Sequence, residues 1–205
     1  MNRKSLMEML VNHTPSIIGD DGLHSYALLL PLMEREDGLH LLFEVRSYEM
    51  RRQPGEICFP GGKQDADDAD EKDTAVREAT EELGVAASQI NDVHSIGYMV
   101  SPFGMKVEAY AGVLQCTMEE LTPNKAEVAE VFTVPLSFFL EEEPEIHYVQ
   151  MEVTPEASFP FDLIPYGENY QWPKRRYPEY FYYYQGRVIW GLTARILHDF
   201  VKSIQ

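Results

Sequence analysis

The chain has 205 residues, of which 34 are acidic and 17 basic, for a formal net charge of −17. With 44% hydrophobic and 12% aromatic residues it is too apolar to stay disordered, and its length is most economically one domain, 1–205. The acidic balance excludes a nucleic-acid backbone as partner, and it requires a bound cation to mediate contact with any anionic substrate.

The N-terminal "MNRKSLMEMLVNH" reads as a short amphipathic helix rather than a signal peptide, lacking a long apolar run and a small-residue cleavage site. No apolar stretch approaches the roughly 20 residues that cross a bilayer. A cytoplasmic protein without a membrane partner is expected.

Strands are predicted at 24–33 and 38–47 around a Glu-Arg-Glu-Asp-Gly turn, and "EICFPGG" reads as a third short strand ending in a Pro-Gly-Gly break. After the acidic loop "KQDADDADEKD", Asp70 or Asp73 is placed to cap a helix over about 72–83, which Gly84 stops. Further strands are expected at 93–100 and, past a Pro-Phe-Gly turn, at 105–115. Another at 128–135 leads into a short helix around 136–141.

Strand-like runs recur at 145–153 and 179–190. Apolar residues at 192, 196, 197 and 200 then have helical spacing. Many strands and few helices predict an α/β (α+β) fold with a mixed β-sheet flanked by helices. Segment 154–178, rich in Pro, Tyr and Phe, reads as a long ordered loop insertion. Cys58 and Cys116 lie in β-like runs and read as core residues, not as a disulfide or zinc site.

The chemistry concentrates in "REATEELGV", 77–85. On a helix, Ala75, Val76, Ala79 and Leu83 fall on one side. Glu78 and Glu82 are i,i+4 neighbours, and Glu81 follows Glu78 by three. Like charges at that spacing destabilise a helix by roughly 0.2–0.5 kcal/mol per pair, a penalty that a hard divalent cation removes. Most charge runs are solvated faces. Gly61-Gly62 upstream favours a site instead, because a glycine turn lets backbone approach a phosphate opposite the metal. Arg77 is spaced to pair with Glu81 and orient it.

The stretch "GGKQDADDADEKDTAVREATEELGV" resembles the box of the Nudix hydrolase family, G-x5-E-x7-R-E-U-x-E-E-x-G-U with U apolar. Arg77 to Val85 fits every fixed position. Upstream, the expected Glu and Gly fall on Ala69 and Lys63, and Asp65, Asp68 and Asp70 are the acids available to stand in. Ahead of the box, Leu41-Leu42, Arg46-Ser47, Arg51, Gly55 and Phe59-Pro60-Gly61-Gly62 resemble the signature of the family's coenzyme A pyrophosphatase branch. Gly61, Gly62, Lys63, Asp65 and Asp68 match that branch's lengthened turn, and "IWGLTARIL" is similar to its ending.

The resemblance implies an α/β/α sandwich and hydrolysis of a coenzyme A-like diphosphate to 4′-phosphopantetheine and adenosine 3′,5′-bisphosphate. It implies Mg²⁺ or Mn²⁺ on Glu78, Glu82 and Glu81. Glu81, Glu127 and Glu130 are the candidates for the base, with Glu127 favoured over Glu130. Arg46 and Arg51 are expected on the substrate phosphates, with Gly61 and Gly62 beside them. Lys174, Arg175 and Arg176 are placed to meet a 3′-phosphate, and Tyr166, Tyr170 or Trp172 to stack on adenine. The alternative for this loop is aromatics that simply pack. NADH, ADP-ribose or a nucleoside triphosphate as substrate, a non-catalytic nucleotide-binding module, and assembly into a homo-oligomer all stay open.

Overall fold

The computed structural model describes residues 2–14, 16–19 and 22–205. Helix α1, Arg3–Val11, is capped by the Asn2 side chain, which accepts from Ser5 N at 2.9 Å, and buries none of its residues. Strands β1, His24–Arg35, and β2, Gly38–Arg46, form an antiparallel hairpin. The two pair only from Leu32–Arg35 to Gly38–Leu41 and then part. Two short strands fill the gap: β3, Ile57–Cys58, hydrogen-bonds to β2, and β4, Gly61–Lys63, hydrogen-bonds to β1. The sequence reading treats 56–62 as one strand, but its ends pair with two diverging partners.

Helix α2, Glu71–Leu83, follows, and Asp70 is the residue that caps it, accepting from Asp73 N at 2.9 Å. Gly84 ends the helix in the left-handed region, φ +68°. Strands β5, Ile90–Ser101, β6, Met105–Leu114, and β7, Val128–Pro135, complete a seven-stranded mixed sheet, in which β6 runs parallel to β1 and β7 flanks β2. Helix α3, Leu136–Glu141, leads to β8, Glu145–Met151. The predicted strand at 179–190 is instead a hairpin of β9, Arg175–Tyr184, and β10, Arg187–Trp190, turning at Gln185-Gly186 where both φ angles are positive. With β8 it forms a second, three-stranded sheet. Helix α4, Gly191–Ser203, closes the described chain.

The large sheet is covered on both faces. Ala75, Ala79 and Leu83 of α2 pack on Ala27, Leu29 and Leu42. Ala194, Leu197 and Val201 of α4 pack with Leu30, Leu41 and Phe43 on the other side. This is why "LLF" in β2 is apolar without alternation: adjacent residues serve opposite cores, and each fully buried side chain contributes about 1.5–3 kcal/mol. The fold class is therefore a mixed sheet between helices. Among the described residues, no helix is long and apolar enough to cross a membrane.

Candidate active site

The parting of β1 from β2 creates the site. Lodged in the gap, β4 lies beneath α2, and its two glycines are there because neighbours occupy the space of a side chain. A β-carbon on Gly61 would lie 2.5 Å from Ala27 O, and one on Gly62 would land on the Glu78 carboxylate. Gly61 N donates to Glu82 Oε2 at 2.8 Å. Glu82 is only 4% exposed, and Glu78 is half-buried beside it.

A third carboxylate faces them from the sheet. Glu44 of β2 is 1% exposed, its Oε1 accepts from the Cys58 thiol at 3.3 Å, and its Oε2 has no partner. Glu127 joins from the loop before β7. Its N–H donates to Asn124 O at 3.0 Å, and its carbonyl accepts from Ser47 N at 2.7 Å. The same loop caps α2: Thr122 N and Asn124 N donate to the free carbonyls of Leu83 and Glu82.

The electrostatics follow from crowding. Burial raises the pKa of Glu82, and the charge of Glu44 raises it further, against the pull of the Gly61 N–H. Burial likewise raises Glu44, opposed by the Cys58 thiol and Arg46. Glu78 is raised by burial, with Arg77 opposing. Glu127 adds repulsion to all three. Carboxylates that press on one another in this way fit a divalent cation as the missing charge. Among the described residues no group of three or more His, Cys, Asp or Glu side chains is already drawn together as a metal site.

Arg77 is a clamp. Its Nε donates to Asp68 Oδ1 at 2.9 Å and its Nη2 to Asp68 Oδ2 at 3.0 Å, while Nη2 also lies 3.0 Å from Glu78 Oε1 and Nη1 3.4 Å from Glu81 Oε2. The expected Glu81 partner is thus the longest of its ionic contacts to Asp68, Glu78 and Glu81. Asp68 is itself held by Thr74 Oγ1 and Asp65 N, each at 2.9 Å. Of the three upstream acids, Asp70 caps the helix and Asp68 fixes the arginine. Asp65 stands mostly exposed, 3.9 Å from Arg77. Glu81 sits at the rim with its side chain 55% exposed.

Three of the predicted groups lie apart from the carboxylate cluster or the cavity. Glu130 lies opposite Val45 in the β2–β7 register, on the face away from Glu44, where Arg187 of β10 grips its carboxylate with two hydrogen bonds. It cannot join the α2 cluster from there. Arg51 projects into solvent from the turn after β2 and is not part of the cavity wall; Arg46 and Arg52 are. The 154–178 loop contributes only Tyr177 to that wall. Lys174 pairs with Glu152 at 2.7 Å, Arg176 covers the Tyr148 ring at 4.0 Å, and Tyr170, Trp172 and Phe159 pack on one another.

The cavity, about 530 Å³, lies on the α4 side of β4, with Gly61 and Gly62 forming part of its wall. Arg46 and Arg195 supply charge, and Met99, Phe103, Met105 and Leu192 supply apolar surface. Arg46 Nε is buried without a partner. Glu44 is the member of the site that sequence reasoning missed. The available signal was a single acid interrupting "LLFEV", since a buried strand seldom carries one.

Residues 23–156 match the NUDIX domain family. Peroxisomal coenzyme A diphosphatase NUDT7 of Mus musculus is 41% identical over 152 residues, covering 74% of this chain and 61% of the mouse protein. The chain thus spans less than two thirds of that relative's length. The uncharacterized Nudix hydrolase NudL of Photorhabdus laumondii is 32% identical over 191 residues, covering 93% of this chain and 90% of its own. Among solved structures, the NUDIX domain of Shewanella oneidensis NrtR complexed with ADP ribose superposes with a TM-score of 0.47 at 18% identity, over 69% of this chain and 88% of that one.

Proposed function

The chain belongs to the NUDIX family, and we propose that it hydrolyses the diphosphate of coenzyme A or a derivative, in one domain and with Mg²⁺ or Mn²⁺. The observation that carries this reading is the position of β4. Its two glycines separate a buried carboxylate cluster from a cavity that offers both arginine and apolar surface. A substrate with an anionic linkage and a long, partly apolar arm suits both sides of that divide. The identity to a relative named as a coenzyme A diphosphatase supports the same substrate.

Glu78 and Glu82 would hold the cation, with Glu81 at the rim. The bound ion supplies charge neutralisation at the bridging oxygens and a more acidic water. Arg77 keeps Glu78 oriented through its shared grip on Asp68. Arg46, with an unpaired buried Nε, directs charge toward the cavity, where a phosphate oxygen would meet it. Glu127 takes the water's proton, because it is the acid outside α2 that is anchored by its backbone at the cluster's edge.

The test is product analysis. Coenzyme A incubated with the protein and Mg²⁺ or Mn²⁺ should give 4′-phosphopantetheine and adenosine 3′,5′-bisphosphate by mass spectrometry. ADP-ribose or NADH turning over while coenzyme A survives would overturn the assignment.

A further inference from the structure

Glu44 has no counterpart in the box motif, and its surroundings leave its charge unanswered. It is 1% exposed, one oxygen accepts only from a thiol, a weak donor, and the other accepts from nothing. Among the described residues, none of the ion pairs involves Glu44. Leaving a carboxylate dry and unpaired costs several kcal/mol, so such a group persists where something compensates it. The β2–β3 register sets Glu44 opposite Cys58, two residues before the β4 strand whose Gly61 binds Glu82. Phe43 packs in the core on the α4 side and Leu42 in the core on the α2 side, so strand alternation turns Glu44, two residues after Leu42, to the α2 side, where Glu78 and Glu82 stand on the helix.

We propose that Glu44 is a further carboxylate of the divalent-metal centre, facing the cation from the sheet, directly or through one water, while Glu78 and Glu82 face it from the helix. This rests on the metal-dependent reading above and adds a residue of this chain to it. The strand position explains the burial: a helix-borne carboxylate can swing with its side chain, whereas one rooted in the middle of a sheet is held in place before the ion arrives. It also explains the thiol. Cys58 satisfies Oε1 only weakly and leaves Oε2 without a protein partner.

The experiment is Mn²⁺ binding to the full chain, by calorimetry and by loss of the free-ion paramagnetic resonance signal, with no substrate present. Glu44→Gln keeps the shape and removes the charge. The expected result is a dissociation constant raised about tenfold or more, with the metal-free melting temperature at or above that of the parent protein. A purely structural, neutral Glu44 would predict unchanged affinity, and that result would overturn the proposal whatever the melting temperature. Should the glutamine variant not fold, Glu44→Asp retains the charge but draws it back by one methylene. Weakened Mn²⁺ binding is again expected, and unchanged binding again refutes. Glu130→Gln, on the opposite face, is the control that leaves affinity unchanged. Coenzyme A surviving intact while Glu44→Gln weakens Mn²⁺ would discard the substrate and keep the metal role.

Discussion

Gly62 and Glu78 occupy one another's space: a β-carbon on the glycine would lie where the glutamate's carboxylate now rests. The obstruction is the end of a flexible side chain, so Gly62→Ala should fold normally while moving Glu78 off its position. The expected outcome is near-parental melting temperature with turnover down about 100-fold, the scale of a misplaced catalytic constellation. Gly61→Ala meets backbone instead, Ala27 O and Leu28 Cα, and should destabilise by roughly 1–3 kcal/mol. Paired melting curves and rates distinguish the two. Equal loss of stability in both would contradict the geometry.

The contrast also marks what could be read before the structure was known. The α2 helix, a cap at Asp70 or Asp73 and the Gly84 stop were legible because each depends on local backbone chemistry within a few residues, and the structure selects Asp70. The core strands were legible from apolar runs. The role of Gly62 was not, because it depends on a contact across 16 residues of chain with no periodic signal. The same holds for Glu130, whose distance from the site comes from strand register alone: one residue along, it would face α2. The 179–190 hairpin was hidden because Gln185-Gly186 is a weak turn signal among tyrosines. Arg77 was placed correctly on the helix, yet its principal partner, Asp68, lies in a loop whose shape no pattern announced.

That partnership gives the second prediction. Arg77 spans Asp68, Glu78, Glu81 and the Lys63 carbonyl with a planar, forked cation. Lysine offers a point charge and cannot reach all four. Arg77→Lys should lower kcat by about tenfold to 100-fold, and it should free the 64–70 loop to proteolysis at a rate the parent does not show. Parental kcat with an equally protected loop would show that charge alone suffices.

Glu127 precedes β7 and Glu130 lies within it, and the fold separates the two acids cleanly. Glu127→Gln should reduce kcat by about 100- to 10,000-fold, the range of a lost general base, with little change in KM. Glu130→Gln severs the pair with Arg187 and should leave kcat within about twofold of the parent. Reversal of these two effects would remove Glu127 from the proton transfer.

Crowded carboxylates make the metal-free protein sensitive to pH, and the sign can be derived. Glu44, Glu78 and Glu82 all titrate above their ordinary value of 4.5 in the folded state, chiefly through burial. Between the unfolded and folded pKa values the folded chain holds more protons, so stability falls as pH rises. His198 acts the other way: burial lowers its pKa below the ordinary 6.5, so its contribution grows with pH only up to that value. From about pH 6.5 to about pH 8 the glutamates therefore dominate, and the melting temperature of chelator-treated protein should decline. A divalent cation binds the ionised carboxylates in the folded state only. Saturating Mn²⁺ should thus raise the melting temperature at both ends of that window, and by more at the upper end. Scanning calorimetry with and without metal measures this directly. A metal increment that is the same at both pH values, or larger at the lower one, would mean that these carboxylates are not what the ion neutralises.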